Sequence, residues 1–120
     1  MSRYFDGFVV PVPKDKVDAY REMAERAGRI WREYGALEYI ECIADDVKPG
    51  KLTSFPQSVE LKPDETVVLS YIVYPTREDR DRIIEQVMKD PRLEDMMDPA
   101  NLPFDAKRMF WGGFRGLVEL

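Results

Sequence analysis

Residues 66–74, Thr66-Val67-Val68-Leu69-Ser70-Tyr71-Ile72-Val73-Tyr74, read as a β-strand that is apolar on both parities. Successive side chains of a strand point to opposite faces of its sheet. Val67 against Val68, and Val73 against Ile72, therefore ask for cover on two sides. Phe8 against Val9 and Trp111 against Phe110 make the same demand in two further strand candidates. An antiparallel sheet with helices on one face alternates apolar and polar residues instead. Leaving the second face wet would expose more contiguous apolar surface than a monomer ordinarily carries. The simplest remedy is a second copy packed sheet to sheet about a two-fold axis, so a homodimer is the expected state.

The other elements arrange themselves around that strand. Tyr4 to Val12 is aromatic and β-branched, with Pro11 and Pro13 closing it, and reads as the first strand. Asp15, followed three residues on by Asp18, is placed to cap a helix. Its apolar stripe is Val17, Tyr20, Ala24, Ala27, Ile30 or Trp31, and Tyr34, and Gly35 ends it. Leu37 to Ala44 is a second strand and Asp45 to Leu52 a polar loop. Residues 55–74 are expected to form a hairpin, with a weakly alternating strand from Phe55 to Leu61 and a Lys62-Pro63-Asp64-Glu65 turn. Thr76 caps a second helix whose face is Ile83, Ile84, Val87 and Met88. Asp90-Pro91 starts a short third helix through Leu93, Met96 and Met97. A last strand from near Lys107 carries Met109, Phe110, Trp111, Phe114, Leu117 and Val118, with Gly112-Gly113 marking a bulge or a close backbone approach. The order predicts an α+β, ferredoxin-like βαββαβ antiparallel sheet with two main helices on one face. It is expected to form a single domain over residues 1–120.

Composition removes several function classes. The chain has no histidine and one cysteine, which leaves out Ser-His-Asp and Cys-His catalysis, an internal disulfide and any cysteine-cluster metal site. Asp45-Asp46 and the acids Glu94, Asp95 and Asp98 lack calcium-loop spacing, so no metal is expected. No glycine-rich phosphate loop opens a helix, and no cofactor is expected. With 18 basic against 23 acidic residues the net charge is −5, which opposes nucleic-acid binding. No apolar run approaches the roughly 18–20 residues that a membrane span needs. The free thiol and the absence of a signal-peptide pattern point to the cytoplasm.

A set of motifs is distinctive taken together. They are Tyr4-Phe5-Asp6-Gly7-Phe8-Val9-Val10-Pro11-Val12-Pro13, Ala19-Tyr20-Arg21-Glu22-Met23-Ala24, Glu33-Tyr34-Gly35-Ala36-Leu37 and Glu41-Cys42. Tyr74-Pro75, Asp90-Pro91-Arg92, Pro103-Phe104-Asp105 through Lys107-Arg108-Met109, and Gly112-Gly113-Phe114 complete it. Across essentially its whole length the chain resembles the YbaA-like family of uncharacterised bacterial proteins, with Ala106 where that family's pattern has glycine. The resemblance implies the dimeric α+β-barrel fold and no established activity.

Enzymes built on that fold include cofactor-free oxygenases, small-lactone isomerases and haem-degrading proteins, the last disfavoured here by the missing histidine. The first two need a proton acceptor and a donor in a pocket between sheet and helices. Asp6 is the leading acceptor candidate, because it interrupts an apolar strand where desolvation disfavours a charge; its bland reading is a carboxylate satisfied by backbone or an arginine. Tyr71 or Tyr74 would supply a hydroxyl from the strand beside it, unless they are core tyrosines. Glu41 is a second acid, either an inward base or a rim charge, and Cys42 beside it reads as a buried small hydrophobe. Arg108 would fork onto a ligand carboxylate or pair with Asp105 or a partner-subunit acid, and Trp111 would line an aromatic pocket or a plain contact. The expected function is a small-molecule pocket in each subunit of a homodimer, with oxygenase or isomerase chemistry. The alternatives are a non-enzymatic dimer that docks a protein or senses a metabolite, and, more remotely, RNA binding.

Overall fold

Four strands carry the fold, and the parity of their apolar residues sets which face each side chain takes. The computed structural model describes residues 2–120. Strands β1 (Tyr4–Pro13), β2 (Glu38–Ile43), β3 (Glu65–Tyr74) and β4 (Phe110–Arg115) form one antiparallel sheet in the order β2-β3-β1-β4. Helix α1 (Val17–Glu33) joins β1 to β2, while α3 (Arg77–Met88) and the short α4 (Pro91–Met96) join β3 to β4. Each crossover steps over one strand, as the ferredoxin-like plan requires.

The registers Asp6↔Ile72, Phe8↔Ser70 and Val10↔Val68 put these six residues on the helix-covered face. Val10, Val12 and Val68 bury themselves there against Tyr20 and Ala24 of α1. A neighbouring cluster joins Ile30 and Trp31 to Ile72, Tyr74, Ile83, Val87 and Leu93. Complete burial of aliphatic side chains such as Val12, Ile83 and Val87 contributes roughly 1.5–3 kcal/mol apiece before conformational entropy is charged.

Local chemistry explains most boundaries. Gly35 takes φ +119° after α1, and Gly35 N–H donates to the Arg32 carbonyl while Ala36 N–H donates to that of Trp31, a Schellman closure. Thr76 Oγ1 accepts the Asp79 N–H at the start of α3, and Asp90 caps α4 with Pro91 following. At the start of α1 the expected cap is absent. Residues Lys14–Lys16 form a 3₁₀ turn, tied by Lys14 N–H to the Asp64 carbonyl, and α1 starts at Val17 without a side-chain cap from Asp15.

Two strand expectations are corrected. Phe55 to Leu61 is not a strand: Ser54 caps the one-turn helix α2 (Phe55–Ser58), and β2 pairs with β3 directly. Pro56, with no N–H to offer a ladder, favours that outcome. The segment folds so that Val59 packs against Val9 and Val67 on the face opposite the helices. The last strand begins at Phe110 rather than near Lys107, because Asp105 accepts Lys107 N–H through its side chain and Met109 N–H through its carbonyl, holding a turn. Gly112 and Gly113 continue the ladder without a bulge.

Away from Val59, Leu61 and the buried Val73, the second face of the sheet presents exposed apolar side chains. Phe114 is 65% exposed, Phe110 46%, Leu69 45% and Tyr71 36%, all on that side. Cys42, opposite Leu69, also lies there and is exposed, which corrects its reading as a buried hydrophobe. Among the described residues no helix is long and apolar enough to cross a membrane.

Candidate functional site

Two carboxylates enter the helix-covered face from strands that are otherwise apolar, and their surroundings differ. Asp6 of β1 is completely buried. Arg80 of α3 reaches it with Nε, 3.2 and 3.1 Å from the two carboxylate oxygens, and with Nη2 at 2.8 Å. Tyr74 Oη donates to the same carboxylate at 2.9 Å and accepts the Trp31 indole N–H at 3.1 Å. The guanidinium lies between the Tyr4 and Trp111 rings, 5.3 and 5.6 Å from their centres. Gly113 makes room for it, since a Cβ there would stand 2.8 Å from Arg80 Nη2 and 2.5 Å from Tyr4 Oη. Both Asp6 oxygens, Arg80 Nε and Nη2 and the Tyr74 hydroxyl are thus engaged with one another.

Glu41 of β2 sits opposite Ser70 on the same face, two residues along the strand from Tyr39, which pairs with Ile72. Tyr20 of α1 donates its hydroxyl to Glu41 Oε1, and Tyr39 donates to Oε2 at 2.7 Å. Among the described residues no arginine or lysine pairs with this carboxylate. Burial pushes the Glu41 carboxyl above its ordinary value, and the two hydroxyl donors oppose that rise without cancelling it. Burial and the adjacent Glu41 charge push both phenols well above theirs, so both remain protonated donors at neutral pH.

The trio lines a cavity of about 850 Å³ between α1 and the β2 side of the sheet. Val12 and Val68 contribute to its lining, and Arg29 and Arg32 come to it from α1. Gly28 lets helix and strand approach: a Cβ there would fall 2.6 Å from Tyr39 Cδ1. The volume falls in the range that ligand sites occupy.

The remaining sequence candidates take other positions. Tyr74 is fully buried in the Asp6 cluster, where burial and then the Asp6 charge raise its phenol. Tyr71 lies on the bare face opposite Gly7, on the other side of the sheet from Asp6 and Glu41. Arg108 forks onto Glu65 at 2.7 and 2.5 Å, donates to Asp105 at 2.8 Å, and reaches the Val59 and Glu60 carbonyls. Those bonds occupy its donors and hold the Glu65 and Asp105 carboxyls below their usual range. Trp111 stacks on Phe8 at 5.9 Å under the Arg80 guanidinium. The residues that sequence reasoning did not single out are Arg80, Tyr20 and Tyr39. Arg80 sits three and seven positions before Ile83 and Val87 on the inward stripe of α3, a spacing that marks it as an inward cation.

These features define an α+β protein of ferredoxin-like topology with a polar trio in a helix–sheet cavity. The chain belongs to the family described as "Protein of unknown function (DUF1428)", which matches residues 3–106. It is 47% identical over 117 residues to the uncharacterized protein YbaA of Escherichia coli strain K12, covering 98% of both chains. A structure described as a nipsnap family protein with unknown function from Agrobacterium tumefaciens is similar in fold, with TM-score 0.58 and 10% identity over 95% of this chain and 87% of that one. A dimeric ferredoxin-like protein from an uncultured marine organism matches with TM-score 0.57 and 10% identity over 100% of this chain and 98% of that one.

Proposed function

We propose that the protein is a homodimer that binds one small molecule in the α1–β2 cavity of each subunit and uses Glu41 as the proton acceptor in a cofactor-free isomerisation or oxygenation. The observation that carries this reading is the Glu41 carboxylate, set in a cavity of about 850 Å³ and held through both oxygens by tyrosine hydroxyls, with no ion-pair partner among the described residues. Burial raises the proton affinity of this carboxylate, which is the direction a general base needs. The step common to cofactor-free isomerases and oxygenases is removal of a proton from an activated carbon of the substrate. Glu41 would accept that proton, and Tyr20 and Tyr39 would keep the carboxylate oriented in both protonation states. In an isomerisation Glu41 then returns the proton to a different carbon, so the reaction balances with no second reactant; in an oxygenation dioxygen is the co-reactant that takes up the substrate's electrons.

The dimer half of the proposal rests on the bare sheet face, where Phe110 and Phe114 lie exposed, and on a fold neighbour that is itself described as dimeric. Cys42, a free and exposed thiol, fits a reducing cytoplasm. The test is native mass spectrometry of protein purified gently from its own cells. The expected result is a dimer mass with a discrete small adduct whose occupancy falls severalfold in Glu41→Gln. A monomer at micromolar concentration refutes the dimer, and a bare mass in every preparation refutes the bound ligand. A ligand returned chemically unchanged after incubation favours the non-enzymatic sensing role over catalysis.

A further inference from the structure

We infer that the ligand of the α1–β2 cavity is a small organic acid with an apolar body, its anionic head held by Arg29 and Arg32 at the cavity rim and its reacting part directed to Glu41. This rests on the reading of that cavity as a ligand site. The rim charges of α1 divide into paired and unpaired. Arg21 is held by Asp18 at 2.6 Å, and Glu33 is held by Arg92 at 2.7 Å. Arg29 and Arg32 have neither a salt bridge nor a side-chain hydrogen bond among the described residues, although both line the cavity. Three acids also line the cavity: Glu33, which Arg92 holds, Glu25 on the exposed side of α1, and Glu41 inside.

With Arg21 and Glu33 committed to Asp18 and Arg92, Arg29 and Arg32 are the cavity-lining cations among the described residues that remain for an outside anion. Arg29 and Arg32 are exposed and three residues apart, hence neighbours on one helical face. Guanidinium forks match carboxylate geometry, and two of them discriminate an anion from a neutral isostere. Beyond the rim the lining turns apolar and aromatic with Val12, Val68, Tyr20 and Tyr39, which fits a hydrocarbon or ring. Glu41 itself repels a second negative charge, so the anionic head belongs at the rim and the part that loses a proton belongs inside.

The experiment is an NMR titration of the full-length protein with three probes of one shape and different heads: benzoate, benzyl alcohol and benzylamine. The expected result is that benzoate binds most tightly and shifts the Gly28 and Tyr39 resonances. The double variant Arg29→Gln/Arg32→Gln then weakens benzoate at least tenfold and leaves benzyl alcohol unchanged. Glu41→Gln leaves the preference for benzoate in place, because the head sits at the arginines. Tightest binding of benzylamine, or equal binding of all three whatever the rim residues, overturns the organic-acid inference while keeping the cavity as a site. No shift at Gly28 or Tyr39 with any probe at millimolar concentration overturns the cavity reading itself.

Discussion

Replacing Asp6 with alanine removes the acceptor of Arg80 Nε, Arg80 Nη2 and Tyr74 Oη at once. The Arg80 side chain is 13% exposed, so its charge is left in a poorly hydrated place. Losing one member of a buried pair costs about 3–5 kcal/mol. Arg80 Nη1 keeps Asp81 at 2.9 Å and the guanidinium keeps its two aromatic neighbours, which places this part at about 3 kcal/mol. The Tyr74 hydroxyl, buried and deprived of its acceptor, adds about 1 kcal/mol. The total of about 4 kcal/mol corresponds to a fall in Tm of about 15 °C for a domain of this size. The assay is urea unfolding of Asp6→Ala, Arg80→Met and the double variant, with Asp6→Asn as a milder substitution in case the alanine chain fails to fold. The double variant is expected to be more stable than the sum of the singles implies, by about 2 kcal/mol, because it removes the stranded charge along with its partner. An Asp6→Ala protein within about 1 kcal/mol of the parent, or singles that simply add, would refute the reasoning.

Three other expectations follow from the same geometry. Because burial raises the Glu41 carboxyl, the folded chain binds a proton there more tightly than the unfolded chain does; the stability this supplies is complete below the unfolded value and is lost as pH rises through the folded one. Glu41→Gln should therefore be more stable than the parent at pH 8 and equal to it near pH 4, read from urea midpoints, with the opposite order contradicting the assignment. Gly28→Ala gains about 1 kcal/mol of helix propensity but drives a methyl into the Tyr39 ring, a clash costing about 1–3 kcal/mol, so a net loss is expected in a denaturant melt. If the proposed dimer forms through this face, Phe114→Glu combined with Phe110→Glu should leave circular dichroism unchanged and give a monomer in sedimentation, since both side chains are exposed in the single chain.

The helix caps at Thr76 and Asp90 and the glycine closure at Gly35 were legible because each depends on residues close in sequence. The Phe55–Leu61 segment was not, since its weak alternation also suits a one-turn helix that buries Val59, and only the packing against Val9 and Val67 decides between them. Arg108 illustrates the same limit. Its pairing with Asp105, three residues away, is a local pattern, whereas the fork onto Glu65 spans 43 residues and depends on the turn before β3. Register was the larger obstacle. A shift of one residue would exchange the faces of Tyr71 and Ile72, and with them the tyrosine that can reach Asp6.

Asp6 and Glu41 looked alike as acids in apolar strands, and what separates them lies on the opposite layer. The inward stripe of α3 delivers an arginine over β1, and that cation, with Tyr74, accounts for all of the demand Asp6 creates. The inward stripe of α1 delivers Tyr20, Ala24 and Gly28 over β2, residues that are neutral or small. They satisfy the oxygens of Glu41 without neutralising it, and they leave volume beside it. A carboxylate matched by a cation stabilises the fold and is spent in doing so. A carboxyl group buried beside a cavity with neutral donors only costs stability when it ionises, and the compensation for that cost has to come from what it binds or what it does. On that physical ground Glu41, and not Asp6, is the residue around which the function of this chain is to be sought.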